Sequence, residues 1–409
     1  MPGSAILGAS RQAMSKYRIL SLDGGGSWAL IQVKALIDLY GSQATGHEVL
    51  SQFDLVAANS GGSIVLGCLI EDKPLEQIFD FFNTESLRKA IFSPTKSLAD
   101  RALHDLLGFG PKYDADSKLA ALQHVLTASG NLPLPDAVEN VPAHSGAGPV
   151  HVLIVAFDYD HNRATFFRSS TVNKASWGTG EVADVTVAEA IHASTNAPVN
   201  YFDGPATFPD RSDRYWDGAI TGCNNPVLAA VTEAVGAGQE PDNIVALSLG
   251  TASVALPWQQ PGQPPSPYTQ QPSATGLKND LLKLATSILD DPPDMATFVA
   301  HVMTGSGNGL GTPAADSRIV RMSPLISPIS NSGNWGPPGN MAAAQFQYLV
   351  NLDMDAVEQP QVDAIASFAG LWLEDQTMNQ PIRMDGSTLT PELGYDRYSK
   401  AKAAWLAIQ

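Results

Sequence analysis

Ser60 is the residue whose surroundings point most clearly to chemistry. It lies in the segment Phe53–Gly67, whose pattern predicts a short apolar strand, a sharp turn and then a helix. A serine held in such a strained turn projects its hydroxyl at a helix N-terminus, as in the G-x-S-x-G nucleophile elbow. Both flanking positions need small side chains, and here they are Ala58 and Gly62. The segment predicts that Ser60 attacks an acyl carbon and that the protein is a hydrolase.

A glycine triplet, Gly24–Gly26, follows a predicted strand and precedes a predicted helix. Its backbone N–H groups can cradle a phosphate or form an oxyanion hole. The stretch also fits the degenerate G-x-G-x-x-G/A dinucleotide fingerprint, with Ala29 in the last position. Against that interpretation, Trp28 is bulky, Asp23 adds negative charge, and no clear acidic residue follows about 20 positions on. A plain tight turn is the third interpretation.

A serine hydroxyl needs a base within hydrogen-bond reach. The chain has eight histidines, and a Ser…Asp…His order would favour His301. That residue lies in the helix-like run Met295–Met303, where a structural histidine is the more frequent case. Asp217, within Tyr215–Ala219, is the stronger candidate because desolvation makes a carboxylate among apolar groups a better proton acceptor. Asp-Gly is also a common turn dipeptide, so the structural alternative stays open.

Alternating apolar runs and helical patterns supply the elements that must position these residues. The strands are predicted at Tyr17–Leu22, Val150–Phe157 and Asn243–Leu249, with the elbow strand and its helix in Asp54–Ile70. Helices are predicted at Ala29–Tyr40, Leu75–Phe82, Lys118–Ala128, Val187–Ala193 and Pro226–Val235. The unbroken apolar run Val150–Phe157 is typical of a strand buried on both faces. The alternation predicts an α/β fold with a mostly parallel sheet.

The chain is expected to divide into an N-terminal extension at 1–16, a core at 17–255, and a C-terminal part at 256–409 packed on the same domain. The proline-rich stretch Trp258–Pro272 predicts an irregular connection. Leu277–Leu289 predicts an amphipathic helix, which is either a mobile cap over a lipid-binding cleft or, more commonly, an ordinary surface helix. After the Gly/Pro/Asn-rich stretch Ser330–Asn340, helices are predicted at Met341–Leu349 and Val362–Leu373.

Composition narrows the function classes. The chain has 409 residues, of which 44% are hydrophobic, and a formal net charge of −17. Such acidity, without a basic run, argues against nucleic-acid binding. Cys68 and Cys223 allow no disulfide framework or cysteine metal site, so both are expected to be structural. Met1–Lys16 lacks the apolar stretch of a signal peptide, and no membrane-spanning run occurs. We expect a soluble protein, cytoplasmic or exported without a cleavable signal peptide.

The ordered set of these motifs resembles the patatin-like phospholipases. Its members are Asp23–Gly26, the serine turn Ala58–Gly62 and Asp217–Ala219, supported by Ala193–Pro198 with Tyr201-Phe202 and by Leu247–Thr251. The resemblance covers roughly residues 17–255. It implies a three-layer sandwich with a mostly parallel sheet and a helical C-terminal elaboration.

The resemblance also implies a Ser-Asp dyad without histidine, with Ser60 as nucleophile and Asp217 as general base. The implied oxyanion hole is formed by Gly24, Gly25 and Gly26, with a contribution from Gly61. The implied activity is hydrolysis of acyl esters in phospholipids, glycolipids and neutral lipids, without a metal or other cofactor. The expected partners are a lipid or ester substrate and a transiently contacted membrane surface, but not nucleic acid; the oligomeric state stays open.

Two departures from the family pattern matter. Ser27, Trp28 and Ala29 stand where the family has a basic residue followed by glycine, which is expected to favour neutral esters over phosphate head groups. Ala58 stands in the first elbow position. The alternatives are a catalytically silent lipid-binding relative and a nucleotide-binding protein using Gly24–Gly26. No motif is matched beyond about residue 255, so substrate selection is expected there.

Overall fold

The computed structural model describes residues 16–94, 112–169, 185–198, 201–209, 211–259, 262, 264–271, 275–305, 317–331, 334–339 and 341–408. In the helix Leu277–Met303, side chains are described at Asp280, at Lys283 and from Pro292 onward. The predicted extension at 1–16 therefore lies outside the described residues except for Lys16, and so does His104.

Strands and helices alternate through the first part of the chain. The strands are β1 (Tyr17–Leu22), β2 (Leu55–Ala58), β3 (His151–Asp158), β4 (Arg163–Arg168), β5 (Ala206–Thr207), β6 (Arg214–Asp217), β7 (Ile244–Leu249), β8 (Ser253–Val254), β9 (Ile319–Met322), β10 (Pro324–Ile326), β11 (Ile329–Asn331), β12 (Asn334–Gly336), β13 (Met378–Asn379), β14 (Arg383–Asp385) and β15 (Thr390–Leu393). The helices are α1 (Leu30–Tyr40), α2 (Gly46–Leu50), α3 (Ser60–Ile70), α4 (Leu75–Asn83), α5 (Glu85–Ile91), α6 (Ala115–Val125), α7 (Leu134–Val138), α8 (Val187–Ser194), α9 (Val227–Gly236), α10 (Leu277–Met303), α11 (Ala343–Val350), α12 (Gln359–Leu373) and α13 (Tyr398–Ile408).

The central sheet has the strand order β5–β6–β3–β2–β1–β7–β9, with β4 pairing with β3 off this path. β1 pairs in parallel with β2 and β7, and the parallel pairing continues to β3 and β9. β4 and β6 pair antiparallel with β3. The predicted α/β fold with a mostly parallel sheet is therefore confirmed. Helical crossovers make this arrangement possible because parallel neighbours need long connections.

The register along β3 brings β6 to the carboxyl end of β2. β2 pairs with His151–Ile154 of β3, whereas β6 pairs with Ala156–Asp158. β4 pairs with Leu153–Asp158 and so occupies the opposite side of β3. β6 thus continues the line of β2 and runs against it. Its last residue, Asp217, faces the turn that follows Ala58.

Two apolar layers cover the two faces of the sheet, because side chains alternate along each strand. Leu20 and Val56 belong to the layer shared with α1, α3, α8, α12 and α13. Ile19 and Leu55 belong to the other layer, which they share with α9 and the second half of α10. The result is a helix–sheet–helix sandwich. Cys68 lies in the first layer, where burial raises the pKa of its thiol to about 12, in agreement with a structural role.

Two helices, α6 and α12, begin three residues earlier than predicted because capping side chains precede them. α6 begins at Ala115 rather than Lys118 because the Asp114 side chain accepts a hydrogen bond from the N–H of Ser117 at 2.8 Å. α12 begins at Gln359 rather than Val362, after a capping box formed by Glu358.

The C-terminal part contributes to the same sheet and the same apolar layer. β9 pairs with β7, and Trp372 and Trp405 pack in the layer that contains α1. The helix predicted at Leu277–Leu289 extends to Met303 through Pro292 and Pro293. The second half of α10 packs on the core, because Ala296 and Ala300 belong to the layer shared with α9. The side chains that would decide a cap role for the first half lie mostly outside the described residues.

Candidate active site

Ser60 occupies a strained position between β2 and α3. Its φ of +46° lies in the left-handed region, which a serine adopts only when its surroundings impose it. Asn59 before it is extended, and α3 starts at Ser60 itself. A Cβ at Gly62 would lie 2.4 Å from the carbonyl oxygen of Leu22, so this position requires glycine. Ala58, by contrast, is an ordinary strand residue with a fully buried methyl group, which explains why alanine is tolerated there.

The structure brings Ser60 and Asp217 together. The Ser60 side chain lies close enough to the Asp217 carboxyl group to lower its pKa, and the two residues are 7% and 3% exposed. Asp217 also accepts hydrogen bonds on Oδ1 from Asn59 Nδ2 at 3.2 Å and from the N–H of Ala219 at 2.8 Å. A Cβ at Gly218 would lie 2.4 Å from Asn59 Oδ1, so the glycine after the aspartate permits this approach. The Asp-Gly pair is therefore part of the site.

Burial sets the ionisation of Asp217. Desolvation raises the pKa of its carboxyl group above the ordinary aspartate value, and this effect exceeds the opposing ones. Hydrogen bonds from Ser60, Ala219 and Asn59, and the charge of Lys118, act in the opposite direction. A carboxylate of this kind combines higher basicity with a fixed orientation, which are the two properties that a general base needs.

The glycine triplet Gly24–Gly26, called the glycine loop from here on, packs against the serine turn. A Cβ at Gly24 would lie 2.9 Å from the Cβ of Ser60, and one at Gly61 would lie 2.4 Å from the carbonyl oxygen of Gly26. Gly25 and Gly26 both have positive φ values, 151° and 55°. The N–H of Gly24 donates to the carbonyl oxygen of Asn224 at 2.9 Å. Of the four predicted oxyanion-hole residues, Gly24 therefore has an N–H that is already hydrogen-bonded to Asn224. Its lack of a side chain allows the close packing against Ser60.

A buried ion pair lies directly before the triplet. Arg321 on β9 contacts Asp23 at 2.6 Å and donates to Ser248 Oγ at 2.9 Å. Despite this partner, desolvation raises the pKa of Asp23 to about 6. The negative charge that counted against phosphate binding thus has a structural function. In addition, a Cβ at Gly26 would lie 2.5 Å from the carbonyl oxygen of Met354, so the space beside the triplet is filled by protein.

A small, mainly apolar cavity lies beside Ser60. Its apolar walls are Ile64, Ile91, Phe92, Ala197, Phe202 and Met354, next to Gly26, Gly61, Lys118, Thr195, Tyr201 and Asp355. The volume is about 20 Å³, close to the space that one water molecule needs. The apolar lining suits an acyl chain, but a cavity of this volume has no room for one.

The segment Asp353–Asp355, here called the acidic cover, borders this cavity through Met354 and Asp355. Asp355 Oδ2 accepts hydrogen bonds from the Tyr113 hydroxyl at 2.6 Å and from Lys112 Nζ at 3.0 Å. Asp353 Oδ1 accepts one from the Tyr201 hydroxyl at 2.6 Å. Trp28, the departure from the family pattern, donates through Nε1 to the carbonyl oxygen of Asp353 at 3.1 Å. The tryptophan therefore holds the acidic cover on the glycine loop.

Histidine does not take part in this arrangement among the described residues. His301 pairs through Nδ1 with Ser317 Oγ at 3.0 Å, and no described histidine lines the cavity beside Ser60. The alternative base therefore has a structural role.

Several site residues escaped the sequence analysis. Arg321, Lys118, Asp353 and Asp355 come from β9, α6 and the connection between α11 and α12. Only the position of Lys118 in an otherwise apolar helix face offered a signal. Arg321, Asp353 and Asp355 belong to no motif or spacing pattern in the sequence.

A serine turn at the carboxyl edge of a mostly parallel sheet, opposite a buried carboxylate, defines a class of α/β proteins with a hydrolase-like site. The family model described as patatin-like phospholipase matches residues 20–231. This match covers more than half of the chain, which therefore belongs to the patatin-like phospholipase family. Family membership supports lipid acyl hydrolysis at a general level.

Two solved structures resemble the chain at low identity. The first is VipD from Legionella pneumophila, with 9% identity, a TM-score of 0.33, and coverage of 90% of this chain and 68% of VipD. The second is human GIVD cytosolic phospholipase A2, with 13% identity, a TM-score of 0.26, and coverage of 45% of this chain and 28% of the human one. No curated protein matches the sequence significantly. Among the described residues, none of the helices combines the length and apolarity needed to cross a membrane.

Proposed function

We propose that this protein is a serine lipid acyl hydrolase that cleaves carboxylic esters through a Ser60–Asp217 dyad and an acyl-enzyme. One observation carries the proposal: a serine strained to φ +46° lies beside a buried carboxyl group, which accepts a hydrogen bond from Asn59, the residue before the serine. A structural serine has no need of that backbone conformation. Membership of the patatin-like family agrees with the same chemistry.

In the proposed reaction, Asp217 accepts the hydroxyl proton while Ser60 Oγ forms a bond to the ester carbonyl carbon. The tetrahedral intermediate collapses, the carbon–oxygen bond to the alcohol breaks, and Asp217 returns the proton to the departing alcohol. Water then attacks the acyl-enzyme, giving its proton to the same carboxylate, which passes it to Ser60 as the fatty acid leaves. The raised pKa of Asp217 supports this double role of base and acid.

The N–H groups of Gly25, Gly26 and Gly61 are the proposed oxyanion hole. Gly61 follows the serine in the first turn of α3, where N–H groups lack partners within the helix. A Cβ at Gly61 would lie 2.9 Å from the backbone nitrogen of Gly26, so the two residues are in close contact. Donors fixed before the reaction stabilise the developing charge without further reorganisation. Gly24 is left out of this set because its N–H is engaged by Asn224.

The cavity lining and the acidic cover bear on the substrate. The apolar walls fit a hydrocarbon chain, and the acidic cover disfavours an anionic head group beside Ser60. Trp28 takes the place of the family's basic residue, so we propose that uncharged esters are preferred. Because residues beyond 255 supply Arg321 and the acidic cover, we further propose that the C-terminal part belongs to the catalytic domain and selects the substrate.

A fluorophosphonate probe, followed by peptide mass mapping, tests the proposal. We expect one modified serine, Ser60, and no modification in Ser60→Ala. Asp217→Asn should lose labelling and p-nitrophenyl ester hydrolysis by about a thousandfold or more. Asp54→Asn is the matched control, since Asp54 is similarly buried but accepts hydrogen bonds from the N–H groups of Arg18 and Ser145, away from Ser60.

Retained labelling in Asp217→Asn, with its fold intact, would overturn the dyad. An unlabelled wild-type chain that still binds lipid vesicles would favour the catalytically silent alternative. Thermal stabilisation by a dinucleotide without labelling would favour the nucleotide-binding alternative.

A further inference from the structure

We propose that Lys118 is a positioning residue of this site: it fixes Asp217 through Asn196 and serves the dyad as a buried cation. The inference rests on the proposed dyad. It assigns a function to a lysine that neither the elbow nor the glycine loop explains.

Lys118 is fully buried, although lysine is rarely found in that state without a carboxylate partner. Its Nζ donates to Asn196 Oδ1 at 2.8 Å and lies 3.9 Å from the centre of the Phe202 ring. No ion pair of Lys118 occurs within the described ranges of the chain. A buried cation held by an amide and an aromatic face is costly, and an apolar residue would pack there more favourably. This cost indicates a role other than stability.

Asn196 transmits the position of Lys118 to the base. Its backbone carbonyl accepts the N–H of Asp217 at 3.0 Å, and its Nδ2 donates to the carbonyl oxygen of Gly204 at 2.6 Å. Asn196 thus contacts Lys118 on α6 and Gly204 through its side chain, and Asp217 at the end of β6 through its backbone. A displacement of Asn196 would move the Asp217 backbone, and small misplacements of a catalytic group cost large factors in rate.

The charges of Lys118 and Asp217 support each other. Burial lowers the pKa of the lysine, and the charge of Asp217 opposes that effect. Burial raises the pKa of Asp217, and the charge of Lys118 opposes it. The charge of Lys118 is the smallest of the effects that lower the pKa of Asp217, after those of Ser60, Ala219 and Asn59. Without the lysine, a larger share of Asp217 would be protonated and unable to act as a base.

The other titratable groups near this pair are accounted for. His192 on α8 has a pKa held well below its usual range by burial and by the charge of Lys118, so it stays neutral. Asp355 borders the same cavity but is paired with Lys112 and Tyr113. We therefore expect the acidic limb of the pH profile to follow the protonation of Asp217.

The test compares Lys118→Met and Lys118→Gln with the wild type in kcat and KM for a short p-nitrophenyl ester across pH 4 to 9. We expect the acidic limb of kcat/KM to move to higher pH in both variants. Lys118→Met should also lower kcat by about tenfold on the alkaline side, whereas Lys118→Gln, which can still donate to Asn196, should lose less. Arg168→Met is the matched control, because Arg168 is a largely buried cation paired with Glu233 at the other end of the sheet.

An unmoved acidic limb in both folded variants would overturn the proposal, as would a shift of equal size in Arg168→Met. Failure of both lysine variants to fold would also overturn it, since the role would then be purely structural. Fluorophosphonate labelling of the wild-type chain separates this outcome from failure of the dyad. If Ser60 is labelled and the acidic limbs of kcat/KM are the same in the wild type and in both lysine variants, only the role of Lys118 is rejected.

Discussion

Arg321 Nη2 lies 2.6 Å from Oδ2 of Asp23, and both side chains are 4% exposed. This ion pair connects β9, which pairs with β7, to Asp23, the residue directly before the glycine triplet. Arg321 also donates to Ser248 and to Gln380, so the C-terminal part of the chain reaches under the loop. The shape of the proposed oxyanion hole thus depends on a residue outside the part matched by the family model.

Arg321→Met should leave Asp23 buried without a partner and destabilise the fold by about 3–5 kcal/mol. Because burial already raises the pKa of Asp23 to about 6, its ionisation costs stability as the pH rises through that value. The loss in the variant should therefore be large at pH 8 and smaller at pH 5. Urea unfolding at both values measures it. The double variant with Asp23→Asn should recover much of the loss, and an equal loss at both pH values would contradict the assignment.

Asp217→Asn should be more stable than the wild type at neutral pH while being inactive. The folded-state pKa of Asp217 is raised, so its contribution to stability is present at low pH and lost as the pH rises. Asparagine removes this dependence. We expect a melting temperature higher by about 1–3 °C at pH 7.5 and a vanishing difference towards pH 4. A lower melting temperature at pH 7.5 would show that the ionised carboxylate stabilises the fold. It would contradict the view that burial destabilises the charged form of Asp217.

The two small positions of the elbow should respond differently to an exchange between alanine and glycine. Ala58→Gly should keep turnover within about twofold and cost about 0.5–1 kcal/mol, because glycine is unfavourable in a strand. Gly62→Ala should abolish fluorophosphonate labelling, since its Cβ would collide with the carbonyl oxygen of Leu22. Labelling rates and urea unfolding of the two variants test the pair. Full labelling of Gly62→Ala would contradict the described turn.

Loosening the acidic cover should speed up the hydrolysis of small soluble esters. Tyr113→Phe removes the 2.6 Å hydrogen bond to Asp355 at almost constant volume. If movement of the acidic cover limits the rate, a loss of about 1 kcal/mol of stabilisation of its observed position corresponds to a roughly fivefold rise in turnover. Stopped-flow hydrolysis of a p-nitrophenyl ester measures it.

The control for the acidic cover is Tyr398→Phe. This change removes a similar hydrogen bond to Asp38, at 2.5 Å, far from the cavity lining. Its turnover should stay at the wild-type level. Slower hydrolysis in Tyr113→Phe than in Tyr398→Phe would show that the acidic cover orders the site and does not restrict entry.

The amino-acid sequence by itself determined the local structures. β1 was predicted with its observed bounds, and β3 and β7 within one residue, because buried parallel strands are unbroken apolar runs. The serine turn was predictable because it needs small residues at fixed offsets within a few positions. The resemblance of the ordered motifs to the patatin-like family was confirmed by the family match.

Only the tertiary structure decided which distant residues meet Ser60. The register of β6 on β3 placed Asp217 at the serine turn, and Asn196 connected it to Lys118. The same applies to Arg321 and the acidic cover, which come from the C-terminal part. Sequence spacing encodes neighbours along a strand or a helix, whereas the order of strands in a sheet follows from packing of the whole chain. For that reason the sequence analysis named Ser60, the glycine triplet and Asp217, but not Lys118, Arg321 or the acidic cover.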